Sequence, residues 1–129
     1  MATVLVVEDD LDMRELERLA LETNGFQVVT VGNGAEALAH LQQKRPCAIL
    51  LDLMMPVMDG LTFLRERHRV RAAERVPVIC VSAAGHEMVF EALRSGAVDC
   101  LPKPTDFDEL CQVVSAHCRK TRAAPAVQK

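Results

Sequence analysis

The sequence predicts an α/β fold, a doubly wound open parallel sheet built from five successive β-α units. Two observations carry this. Apolar runs of four to six residues alternate with longer segments in which apolar residues recur at helical spacing. Two acidic clusters each follow such a run directly, Glu8-Asp9-Asp10 after Val4-Leu5-Val6-Val7 and Asp52 after Ala48-Ile49-Leu50-Leu51. Both sets of carboxylates therefore fall at strand ends. Five units are too few for a barrel of eight, so the sheet stays open and its ligand site lies beyond the carboxyl ends of the strands.

The expected strands are residues 3–7, 26–31, 47–52, 76–82 and 98–101. Between them, Met13, Leu16, Leu19, Ala20 and Thr23 mark a first helix face, and Ala35, Leu38 and Leu41 a second. Gly25 and Gly34 punctuate this half. Leu61, Leu64 and His68 indicate a third helix, Met88, Val89, Ala92 and Leu93 a fourth, and Phe107, Leu110, Val113, Val114 and His117 a fifth. Phe90 falls off the stripe of the fourth helix. The segment from Thr121 onward reads as frayed, giving one domain over residues 1–122 and a flexible tail over 123–129.

Composition narrows the class. A chain of 129 residues, 50% hydrophobic, buries one core of ordinary domain size. Its apolar runs are far shorter than the ~20 residues of a bilayer span, and Met1-Ala2-Thr3 leads straight into a strand. A cytoplasmic protein without membrane contact is expected. Cys47, Cys80, Cys100, Cys111 and Cys118 include no Cys-x-x-Cys pair, and their odd number argues for reduced, structural thiols. A net charge of -3 and 3% aromatic residues speak against nucleic-acid binding. The basic stretch from Arg65 to Arg71, with Glu74 and Arg75 after it, spreads around a helix as a solvated face.

If the strands carrying Glu8-Asp9 and Asp52 are parallel neighbours, three carboxylates meet at one sheet edge. Each pair then costs about 4 kcal/mol at ~4 Å and an effective dielectric near 20. A divalent cation and an ammonium group would offset that cost. Asp10 is placed to cap the helix beginning near Leu11. Asp59-Gly60 reads as a turn, with Pro56 shaping the same loop. His40, His68, His86 and His117 lie on separate helices without metal-ligand spacing.

Taken in order, Glu8-Asp9, Asp52, Pro56, Asp59-Gly60, Ser82 and Lys103-Pro104 resemble the receiver domain of two-component response regulators, the CheY-like family, over about residues 3–119. The resemblance implies a flavodoxin-like sheet of strand order 2-1-3-4-5. It implies that Asp52 accepts a phosphoryl group from a phosphohistidine, and that Mg²⁺, or Mn²⁺, is held by Glu8, Asp9, Asp52 and the backbone carbonyl of Met54. Lys103 and Ser82 would contact the phosphoryl oxygens, the lysine aimed inward by a cis Lys-Pro bond as is usual in the family. The partners implied are a sensor histidine kinase or histidine phosphotransfer protein upstream and an effector protein or output domain downstream. The family usually carries Tyr or Phe three residues before the lysine as a switch; this chain has Cys100 there. Phe90 and Cys100 are expected on the partner surface, and the chain is expected to act on no substrate but itself.

Three other readings compete. A Mg²⁺-dependent phosphohydrolase with an aspartyl nucleophile would carry its nucleophile after the first strand with a second aspartate two positions on, and Glu8-Asp9-Asp10 lacks that arrangement. A pseudo-receiver would bind partners without phosphorylation. A flavin-binding domain would need a hydroxyl-rich phosphate loop and stacking aromatics, and the chain has no Trp or Tyr.

Overall fold

The computed structural model describes residues 2–55, 58–70, 75–83 and 85–127, with side chains as far as Arg119. Pro56, Arg71 and Glu74, singled out from the sequence, lie outside the described residues. The elements run β1 (Thr3–Val7), α1 (Leu11–Thr23), β2 (Gln27–Val31), α2 (Gly34–Leu41), β3 (Ala48–Leu51), α3 (Gly60–Glu66), a 3-10 turn (Arg67–Arg69), β4 (Val78–Ser82), α4 (His86–Arg94), β5 (Asp99–Pro102) and α5 (Phe107–Val127). All strand pairings are parallel, in the order β2-β1-β3-β4-β5. The predicted topology is the observed one, and the order reverses between β1 and β3.

The strands alternate their side chains between two apolar layers. Leu5, Val7, Ile49, Leu51, Val78 and Cys80 pack with Ala37 and Leu41 of α2, Phe63 and Leu64 of α3 and Ala92 of α4. Val4, Val6, Leu50, Ile79 and Val81 pack on the other side with Leu21 of α1 and Leu110, Val114 and Cys118 of α5. With helices on both faces, β3 and β4 are buried throughout and β1 from Val4 onward, which explains their unbroken apolar runs.

Three expectations need correction. On α1, Leu16 and Leu19 are 49% and 58% exposed, whereas Glu17 and Leu21 are buried. Packing of α1 against β1, β2 and α5 sets its phase, and Leu16 sits about 100° round the axis from Glu17. Ala35, His68 and Leu93 are likewise exposed, the buried positions being Ala37, Phe63 with Leu64, and Ala92. The backbone of α5 is helical to Val127. Finally, Cys47 and Cys118 are joined in a disulfide between the start of β3 and α5, so only Cys80, Cys100 and Cys111 are free. The two bonded residues are 71 apart in sequence but share the layer under α5.

Among the described residues, no helix is long and apolar enough to cross a membrane.

Candidate functional site

Parallel pairing of β1 with β3 sets Val7 opposite Leu51. The residues that follow, Glu8 and Asp52, therefore leave the sheet side by side, and the Asp52 N–H donates to the Val7 carbonyl at 3.0 Å. Carboxylate oxygens of Glu8, Asp9 and Asp52 lie within 4.8 Å of one another. Glu8 and Asp52 are buried while Asp9 is exposed, so the cluster is open to solvent on one side. An all-oxygen donor set of this charge suits a hard divalent cation that keeps part of its water shell.

Several contacts hold the cluster in place. Asp10 is the N-cap of α1, accepting from the Asp12 and Met13 N–H groups at 2.9 and 3.1 Å, and its own N–H donates to Glu8 Oε2 at 3.2 Å. Arg14 donates from Nε and Nη2 to the Glu8 carbonyl at 3.0 and 2.8 Å, clamping the chain as it leaves β1. The Met54 N–H donates to Asp52 Oδ1 at 3.1 Å. Asp59, read from the sequence as part of a turn, caps α3 through the Thr62 N–H at 2.8 Å. A Cβ at Gly60 would meet Leu53 Cα at 2.6 Å and the Asp52 carbonyl at 2.8 Å, so only glycine lets α3 start this close to the Asp52 loop.

Lys103 reaches the cluster from β5. Its peptide bond to Pro104 is cis, and its Nζ donates to Glu8 Oε1 at 3.0 Å and to Asp52 Oδ2 at 3.3 Å. Its N–H donates to the Ser82 carbonyl at 3.2 Å, which places the buried Ser82 at the end of β4 beside it. Burial acts against the lysine's charge, but hydrogen bonds and the field of Glu8 and Asp52 outweigh it and raise the ammonium pKa. Burial pushes the Glu8 carboxyl up to about 7, against the stabilising contact with Lys103.

Thus Glu8, Asp9, Asp52, Ser82 and Lys103 gather at one edge, while Cys100 and Phe90 stand apart from it. Cys100 is partly buried on β5, packed against the layer of α3 and α4. Phe90 is 60% exposed on α4, with the Arg94 guanidinium 5.7 Å from its ring centroid. Two contributors were not legible in sequence. Arg14 is one of many charged residues on α1, and nothing in its spacing marks it. Glu17 is buried on the same helix, and burial followed by the field of Glu8 raises its carboxyl to about 8.

Comparison with known proteins agrees with this geometry. The family model described as the response regulator receiver domain matches residues 4–115. The transcriptional regulatory protein CpxR homolog of Haemophilus influenzae is 39% identical over 127 residues, covering 98% of this chain and 54% of that protein. The chain thus spans about half the length of this curated relative. A Francisella response regulator receiver domain superposes with TM-score 0.86 at 32% identity, covering 94% of this chain and 99% of that one. The receiver domain of a Pseudomonas aeruginosa sensor histidine kinase, solved with a magnesium ion coordinated in its active-site cleft, gives TM-score 0.84 at 30% identity, covering 91% and 97%. The matched span takes in both acidic strand ends and the inward-turned lysine, and the chain belongs to the receiver domain family of two-component response regulators.

Proposed function

We propose that this chain is a phosphorylation-controlled switch in which Asp52 takes a phosphoryl group from the phosphohistidine of a sensor histidine kinase or histidine phosphotransfer protein. The observation that carries the reading is the Lys103 ammonium held between Glu8 and Asp52, beside a carboxylate cluster open on the Asp9 side. An Asp52 carboxylate oxygen forms the new bond to phosphorus as the phosphorus–nitrogen bond to the imidazole breaks, and the imidazole nitrogen takes up a proton. The product is an acyl phosphate.

Glu8, Asp9, Asp52 and the Met54 carbonyl would hold Mg²⁺ or Mn²⁺, which when bound supplies positive charge to the phosphoryl oxygens. Lys103 supplies a second, fixed positive charge from the β5 side. The Ser82 hydroxyl, next to Lys103, donates to a phosphoryl oxygen once the group has arrived. The consequence is altered affinity for a downstream effector or output domain at the face of α4 and β5 that carries Phe90 and Cys100. The chain acts on no other substrate, and the phosphohydrolase reading is not favoured.

The decisive experiment is incubation with acetyl phosphate and Mg²⁺ followed by intact mass measurement. The mass rises by one phosphoryl group, and Asp52→Asn abolishes the gain. A mutant that still gains the group would remove Asp52 from the mechanism.

A further inference from the structure

Cys80 and Cys100 are register partners on adjacent parallel strands. Neighbouring strands lie about 4.8 Å apart, within the ~4.4–6.8 Å Cα separation over which a disulfide can form. Register partners on parallel strands project to the same side of the sheet, and both thiols face the layer under α3 and α4. The two differ in access: Cys80 is fully buried, whereas Cys100 is partly open to solvent.

The difference extends to their chemistry. The neighbouring Cys80 thiol favours the thiolate of Cys100 and lowers its pKa, while the Cys100 thiol beside it and burial push Cys80 up. Cys100 is therefore the nucleophile and Cys80 the proton-holding neighbour. The third free thiol, Cys111, lies in the opposite layer under α1 and α5, where its Sγ donates to the Ala20 carbonyl at 3.5 Å. It cannot reach Cys100 across the sheet.

We propose that Cys80 and Cys100 are a peroxide-reactive dithiol, Cys100 attacking a hydroperoxide and Cys80 resolving the product into a Cys80–Cys100 disulfide. In the first step Cys100 sulfur bonds to the terminal peroxide oxygen and the oxygen–oxygen bond breaks. The departing alkoxide or hydroxide takes the proton that Cys100 released, and Cys100 is left as a sulfenic acid. In the second, Cys80 loses its proton and bonds to Cys100 sulfur, and the hydroxyl leaves as water. Two thiols are oxidised by two electrons, and the peroxide is reduced to an alcohol and water, or to two waters. The bond joins β4 to β5 two residues before Ser82 and three before Lys103. Nothing in this chemistry depends on phosphoryl transfer.

The test treats the full chain with hydrogen peroxide, alkylates remaining thiols and digests without reductant on the amino side of aspartate. That cleavage puts Cys80 in residues 59–98, Cys100 in 99–105 and Cys111 with Cys118 in 108–129. The expected result is a 59–98/99–105 cross-linked pair and an intact mass lower by two hydrogens. Cys80→Ala should stop the reaction at a Cys100 sulfenic acid that dimedone captures, and Cys100→Ser should leave Cys80 alkylatable after the same treatment. The conservative, partly exposed Cys100→Ser variant reports even if Cys80→Ala folds poorly. Cross-linking of Cys100 to Cys111, oxidation of Cys80 in Cys100→Ser, or a wild-type Cys100 that stays alkylatable would each overturn the proposal.

Discussion

Lys103 Nζ stands 3.0 Å from Glu8 Oε1 and 3.3 Å from Asp52 Oδ2, so a single ammonium from β5 bridges the carboxylates that β1 and β3 deliver. Both carboxylates are nearly inaccessible to water. The lysine thus shares with a bound divalent cation the role of neutralising these carboxylates, and the two positive charges repel each other.

Lys103→Ala should therefore tighten Mg²⁺ binding several-fold while slowing phosphoryl uptake. Asp9→Ala should do the opposite to the metal, raising its Kd by more than about tenfold, or 1.4 kcal/mol. Isothermal titration of both variants against wild type checks the pair. Unchanged affinity in Asp9→Ala would put the cation elsewhere.

Met54 follows Asp52 by two positions, is 58% exposed, and fixes Asp52 Oδ1 through its N–H rather than its side chain. An apolar thioether there cannot orient a water for attack on the acyl phosphate. Slow spontaneous dephosphorylation is expected, and Met54→Asn or Met54→Glu should accelerate it. Rates followed by loss of the phosphoryl mass decide, and a rate unchanged from wild type in both variants would exclude a role for this side chain.

Glu17 adds a pH dependence to stability. Its carboxyl is raised from 4.5 to about 8, by burial first and then by the field of Glu8. The folded state therefore holds a proton that the unfolded chain has lost between those pH values. Stability from this group is present below pH 4.5 and lost as pH rises toward 8, with a slope of at most ~1.4 kcal/mol per pH unit. Glu17→Gln should flatten that decline in denaturant titrations of the metal-free protein. An equally steep decline in the variant would show that other groups cause it.

The Cys47–Cys118 bridge predicts a thiol count and a loss of stability on reduction. The unreduced, denatured chain should titrate three thiols, and the reduced, denatured chain five. Closing residues 71 apart restricts the unfolded chain by about 4 kcal/mol in the chain-entropy account. Reduction should lower the Tm by more than about 5 °C. Five titratable thiols in the unreduced, denatured protein would remove the bridge.

Local sequence determined the β-α alternation, because strand and helix periods are properties of neighbouring residues and Val4–Val7 and Ala48–Leu51 carry no competing signal. It also determined which residues stand at strand ends, since Glu8, Asp52 and Ser82 end or directly follow an apolar run. The acidic pocket was therefore legible once β1 and β3 were taken as neighbours. Tertiary structure alone decided what depends on the phase of an element or on partners distant in the chain. Rotation of α1 against the sheet buried Glu17 and exposed Leu16 and Leu19, although all three sit on one amphipathic helix. Sheet register set Cys80 beside Cys100, and packing of α5 over β3 joined Cys47 to Cys118. No local pattern encodes these pairings, because they follow from the summed burial of two whole layers rather than from the preference of any segment.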